Sequence, residues 1–184
     1  FLAGFSSSLV TIPGTSAFLG IGFAKYAGIT DPMVRMSYLR CKALNKQYGK
    51  TYYLATLLLP PAKRPFVHAL YGLARYADEI VDDLSSTLTP AEKAEVLSKW
   101  STEVLEGLTS GTTSDAVGKA LIDTVQRFAI PHQHFVDFLH SMEMDLTVGT
   151  YATYKDLSEY VYGSAAVIGL QMVPILGPLS EEAY

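Results

Sequence analysis

From Asp31 onward, no stretch of this chain alternates apolar and polar residues with a period of two. Apolar residues recur three and four apart, between signals that start and stop helices. That pattern leaves little room for a sheet and predicts an all-α fold. Asp31-Pro32 supplies an N-cap and a proline at the first helical position, so a helix should run to about Tyr48 and stop at Gly49. A short apolar helix over 51–59 should end at Pro60-Pro61. Pro61 should open a long helix reaching Leu84. Thr89-Pro90-Ala91-Glu92 reads as a capping box for a helix to about Leu108, with a loop over 107–113. Further helices are expected over 114–128, 131–148 and 154–176, the last unbroken.

The 184 residues suffice for one substantial core. Hydrophobic residues make up 49% and charged residues 17%, with a mean hydropathy of +0.20. That apolar balance fits a large internal cavity or close membrane contact. A net charge of −4 without a basic run argues against nucleic acid as a partner. The one cysteine, Cys41, rules out an internal disulfide and reads as a packed thiol, which suits a reducing, cytoplasmic setting. Residues 1–30 form an uncharged, apolar leader up to residue 24, diluted by five Gly or Pro and six Ser or Thr. An arm that packs or touches a membrane peripherally is expected there, in preference to a spanning helix. Residues 31–184 read as the N-terminal portion of one domain, with more chain expected beyond either end.

The stretch from His68 to Asp83 carries the chemistry. At 100° per residue, Tyr71, Arg75, Asp78 and Asp82 fall within an arc of about 60°. Leu70, Ala74, Ala77, Val81 and Leu84 form the neighbouring apolar stripe. Carboxylates four apart on a helix repel, so a cation should compensate. One or two carboxylates plus substrate phosphates are what Mg²⁺ uses, and Arg75 has the forked geometry that grips phosphate. The competing reading is a solvated acidic face on which Arg75 pairs with Asp78 or Glu79.

Tyr71-Gly-Leu-Ala-Arg75-Tyr-Ala-Asp78-Glu-Ile-Val-Asp82-Asp83 resembles the first aspartate-rich motif of the squalene/phytoene synthase family. Two further blocks resemble that family in the same order. They are Gly49-Lys-Thr51-Tyr52-Tyr-Leu-Ala-Thr-Leu-Leu-Leu-Pro60 and Tyr160-Val-Tyr-Gly-Ser-Ala-Ala-Val-Ile-Gly169-Leu-Gln-Met-Val-Pro174. The resemblance covers roughly residues 33–184. Val161 departs from the small or sulfur-bearing residue usual there. The family's second aspartate-rich motif should lie beyond Tyr184.

The resemblance implies an isoprenoid-synthase helical bundle around a hydrophobic cavity. It also implies head-to-head condensation of two prenyl diphosphates. Asp78 and Asp82 would hold Mg²⁺ or Mn²⁺, and Arg75, Thr51, Tyr52 and Tyr71 would contact the prenyl diphosphate. Tyr160 would take the place of the catalytic tyrosine, orienting the leaving diphosphate or acting on protons near the carbocation. Gly163, Ala166 and Gly169 would leave room for prenyl chains, although small residues also permit close helix packing. Within the family, the wording around Arg75 sides with the carotenoid branch, in which geranylgeranyl diphosphate becomes phytoene through prephytoene diphosphate. A squalene or dehydrosqualene synthase using farnesyl diphosphate is the alternative, and a non-catalytic relative acting in assembly is another. Asp145 also matches a family position near the cavity, as an extra metal or phosphate contact or as a plain surface acid. His132, His134 and His140 do not share a helix face and are not assigned a metal.

Overall fold

A computed structural model describes residues 27–83, 86–180 and 182; the leader over residues 1–24 and Leu84 lie outside the described residues. The described residues form helices joined by short connections, with no strand among them. These are α1 (Pro32–Tyr48), α2 (Lys50–Thr56), α3 (Arg64–Asp82), α4 (Pro90–Ser110), α5 (Gly118–Phe128), α6 (Gln133–Thr147), α7 (Tyr154–Val161) and α8 (Val167–Leu176). A π-helical turn, Tyr162–Ala166, joins the last two.

The caps explain the clearest boundaries. Asp31 Oδ1 accepts the Met33 and Val34 amides at 2.7 and 2.9 Å and starts α1. Thr89 and Glu92 satisfy each other's amides at the start of α4, and Thr153 and Asp156 do the same for α7.

Other boundaries differ from the sequence expectation for reasons of packing. The short helix stops at Thr56, because Leu57–Leu59 tighten into turns. Their exposed carbonyls go to Arg64, whose Nε and Nη2 donate to Leu59 O and Leu57 O at 2.8 Å each. Pro61–Lys63 form a turn, so the long helix opens at Arg64. Helix α4 runs through Gly107, which is buried where an added Cβ would lie 3.3 Å from Ile122 Cδ1. It ends at Gly111, whose φ of +75° suits glycine. Asp115 accepts the Val117 and Gly118 amides and delays the start of α5 to Gly118.

Helix α3 is the hub, packed against α1, α2, α4, α5, α6 and α8. Its Phe66, Val67, Ala69, Leu70, Leu73, Ala77 and Val81 are buried. Around them close Tyr38 and Cys41 of α1, Leu97 and Trp100 of α4, Leu121 and Val125 of α5, Phe135 and Phe138 of α6, and Val167 and Ile175 of α8. Each fully buried Val, Leu, Ile or Phe side chain among them contributes about 1.5–3 kcal/mol.

Polar contacts fix how these helices sit. Ser37 donates to Val117 O at 3.1 Å and accepts from the Ala120 amide at 2.9 Å, tying α1 to the start of α5. Gln171 Nε2 donates to His134 O at 3.2 Å, tying α8 to α6. Lys63 donates to Leu176 O, joining the entry of α3 to the end of α8.

Candidate active site

The core stripe of α3 leaves Tyr71, Arg75, Asp78 and Asp82 on its open side, as the spacing requires. Asp78 is half-buried and Asp82 exposed. Burial holds the Asp78 carboxyl above its ordinary value, and the Asp82 charge pushes the same way. Arg75 opposes the shift, while Asp145 and Glu79 add to it. An acid in this setting gains from a cation. Among the described residues no three His, Cys, Asp or Glu side chains stand close enough to enclose an ion. Two carboxylates one turn apart fit Mg²⁺, which completes its shell with water and substrate oxygens.

Arg75 lies 4.4 Å above the Tyr48 ring and pairs with Glu79, the competing arrangement that the helical spacing also allows. Its Nε–H is buried with no acceptor among the described residues, a donor left over for a ligand. The Tyr71 ring rests on Gly49, where an added Cβ would lie 2.5 Å from Tyr71 Cε2. Tyr52, 72% exposed, places its ring 6.3 Å from that of Tyr71, and Thr51 is exposed beside it. The start of α2 and the acidic face of α3 therefore adjoin.

Tyr160 comes from α7, and Asp145 of α6, with burial behind it, pushes its phenol up to about 12, while Ser164 pulls the other way. The Tyr151 ring packs 5.4 Å from the Tyr160 ring. Because the charge of Asp145 reaches Asp78 as well as Tyr160, the two walls meet electrostatically at that residue. Of the small residues, Gly163 is buried against α6, whereas Ala166 and Gly169 are exposed. Sequence reasoning misses Tyr48 and Tyr151. Tyr48 precedes a helix-ending glycine and Tyr151 lies between helices, so neither shows a periodic signal.

A separate groove of about 550 Å³ opens among α1, α3, α4 and α5. Its walls include Arg40, Leu73, Tyr76, Trp100 and Glu103, with Tyr76 and Trp100 stacked 4.9 Å apart. Leu73 and Tyr76 point roughly opposite Asp78 around α3, so this groove is not part of the acidic site.

The described residues define a protein of the all-α helical class. The squalene/phytoene synthase family pattern matches residues 45–184, and the chain belongs to that family. It is 39% identical over 145 residues to a 15-cis-phytoene synthase of Synechocystis sp., covering 78% of this chain and 42% of that one. It is 36% identical over 150 residues to a chloroplastic phytoene synthase of Narcissus pseudonarcissus, covering 81% and 34%. In structure it resembles a dehydrosqualene synthase solved with a ligand, with a TM-score of 0.68 and 27% identity over 77% of this chain and 48% of that one. The chain thus spans less than half the length of these relatives.

Proposed function

We propose that the protein containing these residues condenses two molecules of geranylgeranyl diphosphate head-to-head into phytoene. The observation that carries this reading is the Asp78–Asp82 pair, held beside the core of α3 where the Asp145 charge also acts on Asp78. Phytoene synthases from cyanobacteria and plants, identical over about a third of aligned positions, support the product.

Asp78 and Asp82 would hold Mg²⁺ or Mn²⁺, as would suit the fit described above. Such an ion, when bound, supplies positive charge to a departing diphosphate. Arg75 supports the same charge through its fork, with the spare Nε–H as one donor. Thr51, Tyr52 and Tyr71 border the place where the diphosphate and the first carbons of the chain would lie. The allylic C–O bond breaks with its electron pair leaving on the diphosphate, and the double bond of the second molecule captures the cation, losing a proton as the cyclopropane ring closes. The resulting cyclopropyl diphosphate ionises in turn, rearranges and loses a proton to give phytoene. The aromatic faces of Tyr151 and Tyr160 exclude water and stabilise cationic carbon. Ala166 and Gly169 lie on an exposed, small-residue surface that has space for prenyl chains.

The test is to incubate the full-length protein with geranylgeranyl or farnesyl diphosphate and Mg²⁺, without NADPH, and to identify the hydrocarbon by mass spectrometry. Phytoene supports the reading. A C30 product from farnesyl diphosphate moves the assignment to the dehydrosqualene branch, which the structural neighbour favours. No product from either substrate moves it to a non-catalytic relative.

We also infer a cytoplasmic protein in peripheral contact with a membrane. The stretch Tyr154–Leu176 is long and apolar enough to cross a bilayer by composition. It carries Lys155, Asp156 and Glu159, however, and buries Val167, Gln171 and Ile175 against the other helices. Sedimentation with vesicles, with and without residues 1–24, reads the contact directly.

A further inference from the structure

Residues 51–62, from Thr51 through α2 and the following turns to Ala62, carry no charge. Leu54 is nevertheless 64% exposed and Leu58 88%, with Leu57, Pro60, Pro61 and Ala62 exposed beside them. Around α2, Leu54 lies about 160° from Tyr52, so the leucines face away from the acidic site. Leu57 and Leu58 follow three and four residues later, on the side of Leu54. The backbone of this tip is already satisfied. The amides of Leu57, Leu58 and Leu59 donate to carbonyls within 53–56, and Arg64 takes the Leu57 and Leu59 carbonyls at 2.8 Å each. Such a tip can leave water without stranding a polar backbone group there.

Cations surround it. Lys50 opens α2, Lys63 and Arg64 follow Ala62, and Lys42 and Lys46 stand four apart on α1, which packs on α2. Burial lowers the Lys42 ammonium, and the charges of Lys46 and Arg64 lower it further, so the three share one field. Over 32–64 there are seven Lys and Arg and no Asp or Glu. Lysine is depleted where proteins bury one another, whereas exposed leucines ringed by lysine suit an anionic bilayer.

We propose that the tip formed by Leu54, Leu57 and Leu58 enters the boundary between headgroups and acyl chains of an anionic membrane, with Lys46 and Lys50 on the headgroups. This rests on the peripheral contact inferred above and gives it a second surface, independent of residues 1–24. Tyr52 borders the proposed diphosphate site from the other side of α2. The tip would therefore hold that site at the bilayer in which prenyl chains dissolve.

The experiment floats the full-length protein with vesicles of phosphatidylcholine containing about 30% phosphatidylglycerol, and with phosphatidylcholine alone. Partition onto the anionic vesicles should be about tenfold stronger or more, and should weaken as salt is added. Leu54→Gln combined with Leu58→Gln should lower that partition by about tenfold or more. Lys46→Gln combined with Lys50→Gln should lower it as much on anionic vesicles and leave the neutral ones unchanged. Deleting residues 1–24 should keep the anionic preference; its complete loss would assign the contact to that segment and overturn the proposal. A leucine variant that binds like the wild type also overturns it. So does a leucine variant whose Tm drops by more than about 5 °C, because the protein itself then covers those side chains. If the wild type floats with neither vesicle, the peripheral contact fails and the proposal with it. If the wild type and the leucine variant float equally, the proposal alone fails. Neither result depends on turnover, so the synthase reading is tested separately.

Discussion

Tyr38 and Tyr160 each have an aspartate that raises the phenol, yet their settings differ. Tyr38 is fully buried; its hydroxyl donates to Asp123 at 2.7 Å and lies 2.8 Å from Thr124 Oγ1. Tyr38→Phe should cost about 1–2 kcal/mol in urea denaturation, since Asp123 keeps Arg127 and Thr124 keeps Ala120 O. His68 is buried too, 3.0 Å from Asn45 Nδ2 and stacked on Tyr53. Burial lowers its imidazole to about 3, so the folded protein keeps it neutral while the unfolded chain binds a proton below about 6.5. Stability contributed this way is present above 6.5 and is lost as the pH falls toward 3, with a slope approaching about 1.4 kcal/mol per pH unit. His68→Gln should flatten that slope in denaturation series run between pH 7 and 5. At the site, Asp78→Asn should abolish Mg²⁺-dependent binding of a prenyl diphosphate, read by calorimetry, and leave the helical circular dichroism unchanged.

Among the elements, α3 depends on its neighbours for its ends. Lys93 of α4 donates to Val81 O at 2.7 Å and to Asp83 O at 3.1 Å, closing the carbonyl end where Asp82 sits. Lys93→Met should cost about 1 kcal/mol and speed amide exchange over 79–83, with the rest of α3 unaffected. The contrast between caps and contacts also explains what the sequence could reveal. Asp31 and Thr89 act within their own turn, so the starts of α1 and α4 are readable at the residue. Gly107 stays helical because Ile122 lies against it, and the π turn exists where Gly163 meets α6; neither partner is near in sequence. The same division runs through the site. The shared arc of Tyr71, Arg75, Asp78 and Asp82 follows from helical spacing, and even the Arg75–Glu79 pair is a four-residue relation. Tyr160 meeting Asp145 requires the packing of α7 on α6, which no local pattern encodes.

Across the molecule, charge is strongly divided. The stretch 32–64 holds seven of the 14 Lys and Arg and none of the 18 Asp and Glu. The cationic stretch leads through α2 into α3, and α3 ends in the acidic pair. The diphosphate proposed above, with its cations, would meet both signs on that path, whereas the groove beside Tyr76 and Trp100 faces elsewhere. The apolar excess of the composition is only partly spent on the core. Tyr154 is 84% exposed and Leu58 88%. Mutational tolerance should record the difference between packed and open surfaces most sharply in one short segment. Gly163→Ala drives a methyl group into the Asp137 carbonyl and should cost about 1–3 kcal/mol. Gly169→Ala meets nothing within 4 Å and should gain up to about 1 kcal/mol from helix propensity, both read as shifts in Tm. A library scored once for folding and once for the proposed hydrocarbon product would thus lose position 163 in both screens. Position 169 would survive the first, and its yield in the second would report whether a prenyl chain lies against that point.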